Sequence, residues 1–205
     1  MPSSSESSPF HNAVFAETAR DPVTGTLNRE AILTTLFQET ERVRRLRGSL
    51  SLVLLKIDDP GYWQSKFDPD TSNHLLRELM TRISRMLRSY DLLGRVSDDE
   101  FMLALPGCSV VHAAMMAERI RIEVLGKPFE IGAPKVENTQ LIRMTASFGI
   151  ASSRGRSPIV VLREAKQALD LALKAGPDSI RCAGEPLATC QLEAESTLSF
   201  QETES

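Results

Sequence analysis

The sequence is poor in cysteine and histidine, which argues against disulfide-bonded and zinc-binding folds. Its 205 residues include three cysteines and three histidines. The cysteines, Cys108, Cys182 and Cys190, form no C-x-x-C pair. Because small disulfide frameworks and structural zinc sites need such groupings, we expect neither, and we predict a reducing, cytoplasmic location.

Long apolar runs and a strong net charge are also missing. No apolar run approaches the roughly 18 residues that cross a bilayer. The first residues, MPSSSESSPF, lack the basic and apolar regions of a signal peptide. The 24 basic and 27 acidic side chains give a net charge of −3. We therefore expect neither membrane insertion nor nucleic-acid binding.

The length corresponds to one ordinary domain with flanking tails. Residues 1–20 are rich in serine and proline and are predicted to form a flexible arm. Residues 184–205 are acidic, show weak periodicity, and are predicted to be a disordered tail. The folded core is therefore expected to span residues 21–183.

Four core segments carry apolar residues at helical spacing. The first, NREAILTTLFQETERVRRLRG, predicts a helix with Asn28 as its N-cap and Gly48 as its end. The other three are SNHLLRELMTRISRMLRSY, VVHAAMMAERIRIEVLG and PIVVLREAKQALDLALKAG.

The remaining core segments predict strands. SLVLLKID is a short continuous apolar run, typical of a buried central strand. DLLGRV and FMLALP flank the four polar residues SDDE and predict a β-hairpin. LIRMTASFGIA alternates as a strand, and DSIRCA is a candidate edge strand. The order of these elements predicts an α/β fold with a mixed, largely antiparallel sheet flanked by helices.

Several ordered motifs over residues 21–182 resemble the GGDEF domain, the diguanylate cyclase fold. DPVTGTLNR, residues 21–29, is similar to the family pattern D-x-L-T-G-L-x-N-R, and SDDEF, residues 97–101, occupies the place of G-G-D/E-E-F. AERIR and TASFGIA match the next helix and strand. This resemblance implies that active members join two GTP molecules into cyclic di-GMP, with magnesium ions held by carboxylates.

The resemblance also locates an altered active half-site. Lys56, in KIDDPG, stands where the family pattern D-I-D-x-F-K has its first metal aspartate, and an ammonium group there opposes a magnesium ion. Ser97 and Asp98 replace the two glycines that let the backbone approach the nucleotide. The other three motif positions are retained: Asp99, Glu100 and Phe101.

Further nucleotide contacts of the family are replaced. In A-D-x-A-L-Y-x-A-K-x-x-G-R-N, the phosphate-binding lysine and arginine correspond to Leu173 and Pro177. The residues that read guanine correspond to Gln64 and Asn73. The resemblance therefore implies that this chain has no catalytic residues, that SDDE is the remnant of an active loop, and that magnesium is not bound.

A second family site has the pattern R-x-x-D, with the aspartate six residues before the first glycine position. Arg88 and Asp91 fit this spacing, and Arg119 in AERIR occupies the place of a further arginine. Arginine forks bond guanine or phosphate, and an aspartate accepts hydrogen bonds from guanine N–H groups. The resemblance thus implies cyclic di-GMP as the ligand. A surface ion pair between Arg88 and Asp91 is the simpler alternative.

Together these features predict a catalytically inactive GGDEF-domain receptor that binds cyclic di-GMP and signals to an unidentified protein partner. Family members of this kind bind stacked ligand pairs that bridge two domains, which implies a ligand-bridged homodimer. Two alternatives stay open. The first is an active or residual diguanylate cyclase, and the second is an interaction scaffold that binds no nucleotide.

Overall fold

A computed structural model describes residues 18–131 and 140–184, apart from the side chains of Trp63, Gln64 and Gln140. Most of the arm and nearly all of the tail predicted above lie outside these residues. Within the described ranges, no helix is both long enough and apolar enough to cross a membrane.

The described residues form helices and strands in a mixed order. In chain order these are α1 (Arg29–Arg45), β1 (Leu50–Ile57), α2 (Pro60–Lys66), α3 (Pro69–Ser84), β2 (Leu92–Arg95), β3 (Glu100–Pro106), α4 (Val110–Arg119), β4 (Phe129–Ile131), β5 (Gln140–Ile142), β6 (Ala146–Ser152), α5 (Pro158–Ala175) and β7 (Ile180–Cys182). A π-helical turn, Ile120–Leu125, continues α4.

The main sheet has five strands in the order β2-β3-β1-β6-β7. The pairs β2–β3, β3–β1 and β1–β6 are antiparallel, and β6–β7 is parallel. Strand β1 therefore lies at the centre, and β2 and β7 form the edges. These findings confirm the predicted mixed, largely antiparallel sheet.

Side-chain alternation along β1 divides the core into two layers, because neighbouring residues of a strand face opposite sides of the sheet. Val53 and Leu55 belong to the cluster that contains the apolar faces of α3 and α4. Leu52 and Leu54 belong to the cluster that contains those of α1 and α5. Both faces of the sheet are thus covered by helices, as the apolar run SLVLLKID predicted.

The start of α1 is as predicted, but its end is not. Helix α1 ends at Arg45, and the next turn is closed by Arg47, whose φ is 52°. The amide of Gly48 donates to the carbonyl of Val43 (2.9 Å), which is the hydrogen bond that closes a Schellman motif. The prediction that Gly48 ends the helix is therefore wrong, because an arginine takes the left-handed position.

Two further predictions on secondary structure need correction. The strand predicted over LIRMTASFGIA is broken, and its first part, β5, pairs with β4 in a separate two-stranded sheet. Helix α2 was not predicted. Its sequence, PGYWQSK, is too short to show helical periodicity, although Pro60 at its first position is a recognised start signal.

Candidate functional site

The SDDE turn joins β2 to β3 beside the end of β1. Lys56 of β1 lies opposite Glu100 of β3 across the ladder. One residue further on, the amide of Ile57 donates to the carbonyl of Asp99 (2.9 Å). The end of the central strand and the turn are therefore held together by main-chain pairing.

Arg95 holds the turn from its other side. Its guanidinium donates to the carbonyls of Ser97 (3.1 Å) and Asp98 (2.8 Å) and forms an ion pair with Asp21 (3.3 Å). Burial alone would raise the pKa of Asp21. The hydroxyl and the amide of Thr24 donate hydrogen bonds to its carboxylate, and Arg95 adds a positive charge. Together these interactions outweigh burial and lower the pKa of Asp21 below its usual value. Arg95 thus ties the turn to the loop that precedes α1.

Each retained acid of the turn is paired with a lysine. The ammonium of Lys56 lies 3.2 Å from Asp99 Oδ2, and that of Lys166, on α5, lies 2.8 Å from Glu100 Oε2. The Asp99 and Glu100 side chains are only 18% and 12% exposed, so solvent screens these pairs less than it screens surface pairs. Ser97 Oγ also donates to Asp99 Oδ1 (3.1 Å). These carboxylate oxygens therefore already have cationic or hydrogen-bonding partners.

Asp58, immediately after β1, has structural partners on both carboxylate oxygens. It accepts from Ser147 Oγ (2.7 Å) and from the amide of Asp178 (2.8 Å). Arg121 in turn donates hydrogen bonds to Glu118 and Asp178. These bonds, the one to Glu118 most strongly, raise the pKa of Arg121 further above its usual value. Asp58 therefore fixes the segment before β7.

The positions that correspond to other nucleotide contacts are scattered. Asn73 and Asp99 line a cleft of about 320 Å³ beside the turn. The Gln64 side chain lies outside the described part of the molecule. Leu173 packs against the core on the α1 and α5 side, and Pro177 is exposed. Neither residue offers a cation to a triphosphate.

Arg88 and Asp91 close a short turn after α3. Asp91 Oδ2 accepts from the amide of Arg88 (2.8 Å), and the amide of Asp91 donates to the carbonyl of Arg88 (3.0 Å). The Arg88 guanidinium donates instead to the Tyr90 hydroxyl (2.9 Å), a hydrogen bond that raises the pKa of Arg88. Within the described residues it forms no ion pair with a carboxylate. The surface pair considered as the simpler alternative is thus not formed.

A pocket of about 430 Å³ adjoins this turn. One segment that lines it runs from the end of α3 into β2, and the other is the loop before α1. Its charged lining residues are Arg20, Arg88 and Asp91. The pocket therefore combines two guanidinium groups with one carboxylate.

Arg119 is the last residue of α4. Its Nε lies 3.4 Å from Glu123, and both side chains are about half exposed. In the described part of the chain, no hydrogen bond or ion pair joins Arg119 to Arg88 or Asp91. Cys108 does interact with that turn: burial raises the pKa of its thiol, Asp91 raises it further and Arg88 lowers it. The structure thus brings Arg88 and Asp91 together without a direct link to Arg119.

Three residues that surround the turn and the pocket were not identified from the sequence: Lys166, Arg95 and Arg20. A signal existed for Lys166, because AKQALD carries a lysine where the family pattern A-D-x-A-L-Y has an aspartate. That charge reversal faces the retained Glu100. The other two arginines belong to no motif quoted above, and only the fold brings them to the turn and the pocket.

Comparison with known proteins agrees with this architecture. The family described as "Diguanylate cyclase, GGDEF domain" matches residues 18–179. The chain belongs to the GGDEF family. Its relatives include the diguanylate cyclase DgcP of Pseudomonas aeruginosa, 31% identical over 165 residues, which cover 80% of this chain and 24% of DgcP. The response regulator PleD of Caulobacter vibrioides is 26% identical over 162 residues, covering 78% of this chain and 35% of PleD. This GGDEF chain thus spans about a quarter to a third of these relatives.

Solved structures share the fold. The diguanylate cyclase SiaD of Pseudomonas aeruginosa, solved in complex with its activator SiaC, superposes with a TM-score of 0.75 at 30% identity, over 85% of this chain and 65% of SiaD. The GGDEF domain of DgcB from Caulobacter crescentus, in complex with c-di-GMP, superposes with a TM-score of 0.75 at 21% identity, over 90% of this chain and 100% of that domain. At 21% identity the second likeness supports the fold alone.

Proposed function

We propose that this GGDEF domain is a catalytically inactive receptor. It binds cyclic di-GMP through Arg88 and Asp91, with Arg119 assisting, and signals to a protein partner. One contrast carries the proposal. The two acids that the active loop has retained, Asp99 and Glu100, are paired with lysines of the same chain, whereas the Arg88 guanidinium forms no ion pair with a carboxylate in the described residues and lines an open pocket.

The lysine pairs support the absence of catalysis. Magnesium requires hard oxygen ligands in near-octahedral geometry. Here an ammonium lies 3.2 Å from Asp99, and Asp58 is bonded to Ser147 and the Asp178 amide. This donor set does not suit the two-magnesium centre of active members. The cations at this turn are lysines already paired with its own acids, so they do not replace the metal ions that bridge the phosphates in phosphoryl transfer.

The chemistry at Arg88 and Asp91 supports cyclic di-GMP as the ligand. An exposed guanidinium can bond a phosphate or the guanine O6 and N7 edge in a bidentate manner. The free Oδ1 of Asp91, which has no hydrogen-bond donor in the described structure, can accept from guanine N–H groups. The DgcB domain, which shares this fold, was solved with this dinucleotide bound.

Isothermal titration with cyclic di-GMP tests the receptor function. We expect the parent protein to bind and Arg88→Ala to lose at least about tenfold in affinity, since hydrogen bonds from a charged group contribute about 1.5–3 kcal/mol. Arg163→Ala is the matched control, because Arg163 is exposed on α5, across the sheet from α3. Equal binding by Arg88→Ala would refute the site. A parent protein that releases no heat and shows no binding would favour the scaffold.

A turnover assay with GTP and magnesium tests the absence of catalysis separately. We expect no cyclic di-GMP to form at enzyme concentrations that give clear product with an active cyclase. Steady product formation by the parent protein would favour the cyclase instead. Because this assay does not depend on the Arg88 site, it distinguishes an inactive receptor from an active enzyme that also binds its product.

A further inference from the structure

A second arginine lines the pocket beside Arg88. We propose that Arg20 provides a further cationic contact for the bound ligand, an inference that rests on the receptor function proposed above. Arg20 lies just before the loop that leads into α1, 68 positions from Arg88 in the sequence, and the fold brings both residues to one cavity.

The Arg20 side chain is exposed and has no ion-pair partner within the described residues. Its Nη1 donates to the carbonyl of Gly25 (2.9 Å), which orients the guanidinium along the loop. This single hydrogen bond uses one of the five N–H donors of the group. The remaining donors are available to an anion.

The loop that carries Arg20 is fixed to the sheet beside Arg88. The amide of Leu27 donates to the carbonyl of Leu93 (3.1 Å), and the carbonyl of Leu27 accepts from the amide of Arg95 (2.8 Å). Asp21 adds an ion pair to Arg95 (3.3 Å). Because the two arginines are held on packed elements, less ordering is needed when a ligand binds.

A pocket with both Arg20 and Arg88 suits a ligand with two negative charges better than a pocket with Arg88 alone. Two guanidinium groups face one carboxylate among its lining residues, so the pocket carries one excess positive charge. A cyclic dinucleotide presents two phosphates and two purine edges. Arg88 and Asp91 can contact one guanylate half, and Arg20 then lies where it can bond a phosphate of the same molecule.

Three substitutions at Arg20, each titrated with cyclic di-GMP at two salt concentrations, test this contact. Arg20→Ala removes both the charge and the hydrogen bond to Gly25. Arg20→Gln removes the charge but retains a donor for the Gly25 carbonyl, and Arg20→Lys retains the charge. Arg163→Ala is again the distant control, and thermal unfolding of each variant reports on the fold.

We expect Arg20→Ala and Arg20→Gln to weaken binding about tenfold and to make the affinity less sensitive to salt, because an exposed charge contact is screened. Arg20→Lys should stay within about threefold of the parent, since it keeps the charge but not the bidentate fork. Near-parental affinity of Arg20→Gln would mean that Arg20 only supports the loop, and would overturn the proposal. If Arg88→Ala abolishes binding but Arg20→Ala does not change it, the receptor function stands and this contact is wrong. No binding by the parent protein overturns both.

Discussion

At the scale of single residues, two lysines determine the character of the SDDE turn. Each of them occupies a position where the family pattern has an aspartate, Lys56 at the end of β1 and Lys166 in α5. Each is bonded to an acid that the turn has retained, at 3.2 and 2.8 Å. The retained acids therefore have a structural use that does not need a metal ion.

Replacing Lys56 with aspartate tests whether the lysine ammonium takes the place of a metal ion beside Asp99. In Lys56→Asp the new carboxylate faces Asp99, so an attraction becomes a repulsion. We expect the free energy of unfolding to fall by about 1–2 kcal/mol in the presence of a chelator. Millimolar magnesium should raise the melting temperature of this variant, because a divalent cation that binds only the folded state stabilises it.

The parent protein and Lys127→Asp are the controls for that experiment. Lys127 is exposed, and its side chain forms no hydrogen bond or ion pair in the described residues. We expect magnesium to leave the melting temperature of both proteins unchanged. A magnesium-dependent rise in the parent protein would contradict the view that lysine ammonium groups replace the metal.

The motifs point to individual residues of the two candidate sites, whereas the residues that surround them become evident only in the folded structure. Lys56, Arg88 and Asp91 were identified because the sequence resembles the family motifs at the matching spacing. Lys166 contacts Glu100, 66 positions away, and Arg20 lines the same pocket as Arg88, 68 positions away. Such contacts depend on how helices and loops pack on the sheet, which local periodicity does not encode.

At the scale of elements, the approach of α5 to β6 leaves no room for a side chain. A Cβ atom added at Gly149 of β6 would lie 2.3 Å from the carbonyl oxygen of Ala165 and from the amide nitrogen of Leu169. Both are main-chain atoms of α5, which cannot move without shifting the helix. The glycine in TASFGIA is therefore required by packing.

Gly149→Ala should destabilise the domain by about 3 kcal/mol, at the upper end of the usual cost of overpacking, because the helix itself must shift. Urea unfolding measures this loss. Gly61→Ala is the matched control, since Gly61 lies in α2 and an added Cβ would have no atom within 4 Å beyond its chain neighbours and its own helix backbone. We expect that control to keep parental stability, because alanine suits a helix better than glycine does. Parental stability of Gly149→Ala would mean that α5 is not held against β6 as described.

The long, periodic elements were all predicted from the sequence, and the elements that were missed or misplaced are short. The apolar spacing of α1, α3 and α5 and the apolar run of β1 are strong signals because burial imposes them on many residues at once. Helix α2 has seven residues, and β4 and β5 have three each. Segments of this length show less than two periods, so tertiary contacts decide their conformation.

At the scale of the whole molecule, the sheet separates two helical layers, and helix α3 contributes to both candidate sites: Asn73 lines the cleft beside the turn, and Arg88 follows the end of the helix. Lys166 reaches the turn from α5 in one layer, whereas Arg88 follows α3 in the other. The hairpin β2–β3 connects the two sites, because Asp91 precedes β2 and Asp99 precedes β3. The hairpin and the ion pair between Arg95 and Asp21 therefore link the turn to the loop that lines the Arg88 pocket.

The same architecture leaves the Arg88 pocket open at the surface. A ligand bound there can therefore also contact a second copy of the domain. A stacked pair of cyclic di-GMP molecules presents more guanine and phosphate groups than one such pocket can contact, so the outer groups remain available to a second domain. We expect sedimentation velocity to show a monomer without ligand and a dimer at saturating cyclic di-GMP. The dimer should be related by two-fold symmetry, since both copies offer the same surface.

Arg88→Ala and protein dilution distinguish a ligand-bridged dimer from other assemblies. Arg88→Ala should stay monomeric at ligand concentrations that dimerise the parent, and Arg163→Ala should dimerise normally. Because the ligand links two chains, the dimer should dissociate when the protein is diluted at constant free ligand, as mass action requires. A dimer that forms without ligand would point to a protein interface instead. A monomer at saturating ligand would refute ligand bridging while leaving binding at Arg88 intact, since titration measures that binding independently.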